Sequence, residues 1–165
     1  VRLLDHLGQP QSLAELCRQP VLMAFFYTGC ASVCPPQTAA LRALRERLDA
    51  AAAGGVGAAG AASRPAMLLS ISLDPLNDTP EALARYAARF GVRLGRDAGW
   101  LMLTGERAQL KPVWRTFDAP ENAAAEHSAL VWVGDAGRGR WTRASALSPI
   151  AELQALLQGQ ATCSG

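Results

Sequence analysis

Seven consecutive apolar residues, Val21-Leu22-Met23-Ala24-Phe25-Phe26-Tyr27, leave a strand with no polar face. Such a strand must be covered on both sides, as a parallel strand between helical layers is, whereas a half-exposed sheet would alternate apolar and polar residues. The run is far shorter than the roughly 20 apolar residues that a membrane helix needs. Thr28-Gly29 ends it. A second run, Ala66 to Leu73, reads the same way. Between them Leu41, Leu44 and Leu48 recur at spacings of three and four, the core-facing stripe of a helix. That pattern fades into Ala50 to Arg64, where Gly54, Gly55, Gly57 and Gly60 lie among alanines, a composition that suits a flexible connection. No Gly-Lys-Ser/Thr follows these glycines, so they are not a phosphate loop.

The flanking segments complete the order. Val1 to Leu4 and Gln11 to Ser12 bracket a turn-rich stretch and predict a short N-terminal hairpin, followed by a helical turn at Leu13 to Cys17. Asp78-Thr79-Pro80-Glu81 predicts a helix start with Asp78 or Thr79 as the cap, running through Phe90 and stopped by Gly91. Leu101 to Leu103 predicts a short strand, and Glu106 to Phe117 a helix interrupted near Pro112. Ala129 to Val133 and Arg140 to Ala144 flank the turn sequence from Gly134 to Gly139 and read as a β-hairpin, and Pro149 to Gln158 closes the chain as an amphipathic helix. A parallel βαβ unit followed by a hairpin and a last helix is the thioredoxin order. The expectation is one α/β, thioredoxin-like domain over residues 1–165, with a central mixed sheet flanked by helices and an N-terminal hairpin extension.

Several function classes are excluded at this stage. A chain of 165 residues, half of them apolar, suits one domain with a sizeable core and is short for two. Its formal net charge of +2 is dispersed and forms no basic stripe for a phosphate backbone, so nucleic acid is not an expected partner. A monomer is expected. No charged leader precedes an apolar signal core. Val1 is not an initiator Met and the chain opens at once on folded-looking sequence, so the start is read as cut.

The chemistry lies where the first apolar strand ends. Cys30 follows that strand by three residues, and Cys34 is followed by Pro35 and Pro36. Because proline disfavours the helical region in the residue before it, the helix is expected to begin near Pro36, with Cys34 and Pro35 outside it. Both thiols then sit in a loop at a helix N-terminus, whose partial positive charge favours thiolate, the form that attacks disulfides and binds soft metals. A purely structural disulfide is the plainer alternative for this pair.

His127 is far along the chain, so only topology can bring it to these thiols. If Ala129 to Val133 pairs antiparallel to Val21 to Tyr27, the start of the later strand lies at the sheet edge where the first strand ends, and His127 precedes that start by two residues. His6, in the N-terminal turn, is read as an ordinary surface histidine. Two thiolates and an imidazole form a soft three-coordinate set that suits Cu(I) and, with an added oxygen or water, Cu(II). Zinc would want a fourth ligand, and no third Cys or second His falls at a plausible spacing. Asp74, at the end of the second parallel strand, is read as a weak ligand, an acceptor for His127, a carboxylate seen by a partner, or only a turn residue before Pro75. Asp78 is read as a cap.

These residues resemble the Sco/SenC family of copper-binding thioredoxin-fold proteins, which help assemble the copper A centre of cytochrome c oxidase. The resemblance covers most of the chain. It is carried by Phe25 to Pro35 with the Cys30-x-x-x-Cys34-Pro35 motif, by Ser72 to Glu81, by Trp100 to Gly105, and by Glu126-His127-Ser128 before a strand and Gly134-Asp135-Ala136-Gly137-Arg138. It implies that Cys30, Cys34 and His127 are copper ligands and that Asp74 is an acidic residue beside the metal. It also implies, as partner, the copper A domain of cytochrome c oxidase subunit II or another periplasmic copper chaperone. Family members are usually anchored to an inner membrane by an N-terminal helix, so the expectation is a periplasmic domain whose anchor has been removed. Cys17 and Cys163 depart from the family pattern. Their expected role is a structural disulfide pinning the C-terminus, with two free thiols as the alternative.

Two functions share the site. One is a copper metallochaperone; the other is a thiol–disulfide oxidoreductase in which Cys30 and Cys34 cycle and keep a partner's copper-ligand cysteines reduced. An ordinary thioredoxin carries CxxC and a cis-proline before the strand facing the pair, whereas here the spacing is three and Ala125 to Ala129 holds His127 and no proline. That difference favours metal capture. A peroxide-reducing relative would need a peroxide-activating environment, for which the sequence has no motif.

Overall fold

The computed structural model of the chain describes residues 1–53, 66–121, 129–135 and 139–159. Its elements, in chain order, are β1 (Arg2–Leu4), β2 (Pro10–Ser12), α1 (Leu13–Leu16), β3 (Val21–Phe26), α2 (Cys34–Ala53), β4 (Met67–Ser72) and α3 (Pro80–Arg89). They continue with β5 (Trp100–Leu103), α4 (Arg107–Thr116), β6 (Leu130–Asp135), β7 (Arg140–Ser145) and α5 (Ile150–Gly159). Five strands form one mixed sheet in the order β5-β4-β3-β6-β7. The apolar runs β3 and β4 pair in parallel at its centre, Val21 opposite Met67 through Phe26 opposite Ser72. β5 is parallel to β4, and β6 is antiparallel to β3. The fold is the thioredoxin-like one that the element order predicts.

Both faces of β3 are used, as its composition requires. Leu22, Ala24 and Phe26 point into one layer with Leu41, Leu44 and Leu48 of α2, Leu83 and Tyr86 of α3, and Leu153 and Leu157 of α5. Val21, Met23 and Phe25 point the other way, onto Leu110, Val113 and Trp114 of α4 and onto Leu3, Leu13 and Leu16 of the N-terminal elements. Each leucine removed from water in these layers contributes about 1.5–3 kcal/mol before entropy is charged against it.

The hairpin β1–β2 is antiparallel and continues the sheet end beyond β5, where Leu4 and Thr104 exchange backbone hydrogen bonds of 2.7 and 2.8 Å. Asp5 holds its tip. One carboxylate oxygen accepts the N–H groups of Leu7 and Gln9, and the other accepts Gln11 Nε2, all at 2.9 Å.

The structure corrects three local expectations. α2 begins at Cys34, two residues earlier than the prolines suggest, because Gln37 N–H bonds to Val33 C=O and Pro35 and Pro36 occupy first-turn positions whose N–H groups would be unpaired anyway. α4 passes through Pro112 without a break, the proline lying on a single ten-residue helix. β6 continues through Gly134 and Asp135, which read as turn. Gly134 is accommodated there because the space a side chain would fill is taken by the Arg140 carbonyl and the Trp141 ring. Among the described residues no helix is long and apolar enough to cross a membrane.

Candidate metal and redox site

The parallel strands β3 and β4 end side by side at Phe26 and Ser72. The chain leaving β3 turns at once, with Cys30 N–H bonding to Tyr27 C=O, and enters α2 at Cys34. This brings the two cysteines together. The backbone N–H of Cys34 donates to Cys30 Sγ at 3.4 Å, and Ser32 Oγ lies 3.8 Å from the same sulfur. Cys30 is 6% exposed and Cys34 is fully buried, and no disulfide joins them.

Their environments push them apart. Burial works against ionisation of Cys30, but hydrogen bonds from the Cys34 thiol and N–H and from Ser32 outweigh it and hold Cys30 below the ordinary thiol range. Burial pushes Cys34 well above that range, reinforced by its hydrogen bond to Cys30. The Tyr27 phenol, raised first by burial and then by the negative charge of the sulfurs, hydrogen-bonds to Cys30 as well. The pair therefore consists of one thiol poised to ionise and one that acts as its proton-bearing donor.

Two residues near the pair have roles that the sequence did not reveal. Gln37, in the first turn of α2, is 1% exposed and donates its amide to Phe25 C=O at 3.0 Å, just past the last β3–β6 pair, Ala24 opposite Val131. Its Oε1 has no partner among the described residues. Asp78 is not the cap of α3; Thr79 is, accepting Ala82 N–H. The Asp78 carboxylate is fully buried. Oδ1 accepts both the N–H and the hydroxyl of Thr28, at 3.1 and 2.6 Å, and Oδ2 accepts the Ser72 hydroxyl at 2.6 Å. Burial raises its pKa in spite of these bonds.

Asp74 lies beside this network as a turn residue. Its carbonyl accepts Asn77 and Asp78 N–H groups, and one carboxylate oxygen accepts Asn77 Nδ2 at 2.8 Å. Cys17 is buried near the far end of β3, its thiol pushed up to about 11 by burial and by the Asp135 charge. His6 sits in the hairpin turn.

His127 and Cys163 lie outside the described residues. Ala129, two residues after His127, is buried in the same cluster as Cys30 and Cys34. The described residues thus bring two sulfur atoms together, and among them no three His, Cys, Asp or Glu side chains gather as a metal site.

The SCO1/SenC family model matches residues 2–138. The chain belongs to the SCO1/SenC family. Among its relatives is the human mitochondrial protein SCO2 homolog, 31% identical over 133 residues, covering 81% of this chain and 44% of that protein. The chain thus spans about half the length of the curated SCO relatives it matches. The solved structure of BsSco, described as a Sco-family cytochrome c oxidase assembly protein with a disulfide switch, superposes with a TM-score of 0.76. It covers 99% of this chain and 92% of its own at 22% identity. Copper-bound ScoI of Bradyrhizobium japonicum gives a TM-score of 0.69 and 23% identity over 95% of this chain and 94% of its own. These structures share the thioredoxin-like fold of the SCO1/SenC chain described here.

Proposed function

We propose that this SCO1/SenC chain is a copper metallochaperone that binds one copper ion through Cys30, Cys34 and His127 and passes it to the copper A domain of cytochrome c oxidase subunit II, or takes it from another periplasmic copper chaperone. The observation that carries this reading is the buried dithiol itself, with the Cys34 N–H directed at a Cys30 sulfur held toward thiolate. Thiolate is the ligand form that soft Cu(I) prefers. Copper is the cargo here, and its release is a ligand exchange in which each Cu–S bond to this chain is replaced by a bond to a partner sulfur, with no change in oxidation state. Support for His127 comes from topology: β6 runs antiparallel to β3, so β6 starts at the Cys30 end of the sheet, and Ala129 is buried in the same hydrophobic cluster as both cysteines. Asp74 belongs to the same proposal as an acceptor for His127 or a carboxylate facing the partner. So does a periplasmic location with an inner-membrane anchor, and a Cys17–Cys163 disulfide holding the C-terminus.

A second reading has its own observation. Cys30 and Cys34 are unbridged thiols of unlike acidity in contact, the arrangement of an attacking and a resolving cysteine, and BsSco is described as having a disulfide switch. Anaerobic incubation with a copper-free copper A domain separates the two. Copper-loaded protein is expected to donate one metal ion to a reduced domain. If it donates none, while the copper-free dithiol reduces an oxidised domain stoichiometrically, the oxidoreductase reading replaces the chaperone one.

A further inference from the structure

A carboxylate with no exposed surface is costly unless its oxygens are fully engaged. Asp78 meets that condition in a way that reaches the cysteines. Thr28 ends the β3 side of the site, two residues before Cys30, and Ser72 ends β4; Asp78 binds both through three hydrogen bonds of 2.6–3.1 Å. Ser72 also holds Asp74 N–H at 3.0 Å, and its carbonyl accepts Trp114 Nε1 at 3.0 Å, so the β4 end of the clamp is itself fixed to a buried ring. The loop from Thr28 to Cys34 is thereby anchored at both ends, by Asp78 at one and by the first turn of α2 at the other.

We infer that Asp78 is a positioning residue for the Cys30–Cys34 pair, holding the loop through Thr28 so that the two sulfurs stay within reach of one another. The inference rests on the reading of Cys30 and Cys34 as the working thiols. Closing a disulfide from an anchored loop forfeits little chain entropy, and releasing the anchor makes closure less favourable.

The reaction that reads this is oxidation by glutathione disulfide. The Cys30 and Cys34 S–H bonds break and one S–S bond forms; the glutathione S–S bond breaks, and both protons and both electrons end on two glutathione thiols. In defined glutathione buffers, Asp78→Ala and Thr28→Val are expected to lower the equilibrium constant for closure about tenfold, equivalent to a shift of about 30 mV toward easier reduction. Asp78→Asn, which keeps hydrogen-bonding groups without the charge, and Thr28→Ser, which keeps the hydroxyl, are expected to stay within about twofold of wild type. Val113→Ala, in the opposite layer, controls for lost stability and should leave the constant unchanged. Thr28→Val serves if Asp78→Ala does not fold. The inference is overturned if Thr28→Val matches wild type, if Asp78→Asn is as impaired as Asp78→Ala, or if Val113→Ala shifts the constant equally. Wild type that closes normally but binds no copper would remove the chaperone reading and leave this one standing.

Discussion

The backbone N–H of Cys34 points at the sulfur of Cys30 across 3.4 Å, so the first turn of α2 and the turn leaving β3 meet at a single atom. An amide donor stabilises negative charge on that sulfur, and the Cys34 thiol adds a second donor.

Cys30 is therefore expected to be the reactive thiol. Burial alone would raise its pKa, but the hydrogen bonds win and the net displacement is downward from 9.0. Its alkylation rate by iodoacetamide should rise through a midpoint below pH 9, while Cys34 stays unreactive over that range. In Cys34→Ala the thiol donor is gone, and the Cys30 curve should move to higher pH. A curve that stays in place would show that the Cys34 thiol does not hold the charge.

Cys17 should be silent to alkylation in the folded protein: paired with Cys163 it has no thiol, and unpaired it ionises little. With its pKa pushed to about 11 by burial and by Asp135, its thiolate fraction at pH 8 is roughly 100-fold below that of an ordinary cysteine. Native protein labelled without reductant should carry no adduct at Cys17. Repeating the labelling in denaturant, still without reductant, tests its proposed pairing: adducts at both Cys17 and Cys163 would rule the disulfide out.

Asp5 gives the stability curve an acid limb. It is 3% exposed, and although burial opposes its charge, bonds from Gln9, Gln11 and Leu7 hold its pKa below 3.8. A carboxylate with a depressed folded-state pKa contributes stability above its unfolded-state pKa, and that contribution is lost as pH falls through the folded-state value. Asp5→Asn should cost about 1–3 kcal/mol at pH 7, because an amide nitrogen cannot accept Gln11 Nε2. Urea unfolding should show that gap closing below about pH 4; a gap of constant size at pH 7 and pH 3 would contradict this role.

The central strands were legible because a sequence with no polar face has few ways to be buried: Val21 to Tyr27 and Ala66 to Leu73 became Val21–Phe26 and Met67–Ser72. The cysteine pair was legible from its position after such a strand. What misled was local chemistry with two outcomes. Two prolines after Cys34 disfavour helix in the residue before each, yet both also fit a first turn, and the Val33–Gln37 bond decided for the helix. Asp78 and Thr79 both suit a cap. Only contact with Thr28, 50 positions earlier, separates them, and a local pattern does not carry that distance. Pro112 read as an interruption and is carried within α4.

The most direct test of the copper site is X-ray absorption at the copper edge on protein loaded anaerobically with one equivalent of Cu(I). The account predicts two sulfur scatterers and one imidazole in wild type and in His6→Ala, loss of the imidazole signal with both sulfurs kept in His127→Ala, and loss of one sulfur in Cys30→Ser or Cys34→Ser. An imidazole signal that survives His127→Ala, or a wild-type site with fewer than two sulfurs, would contradict it.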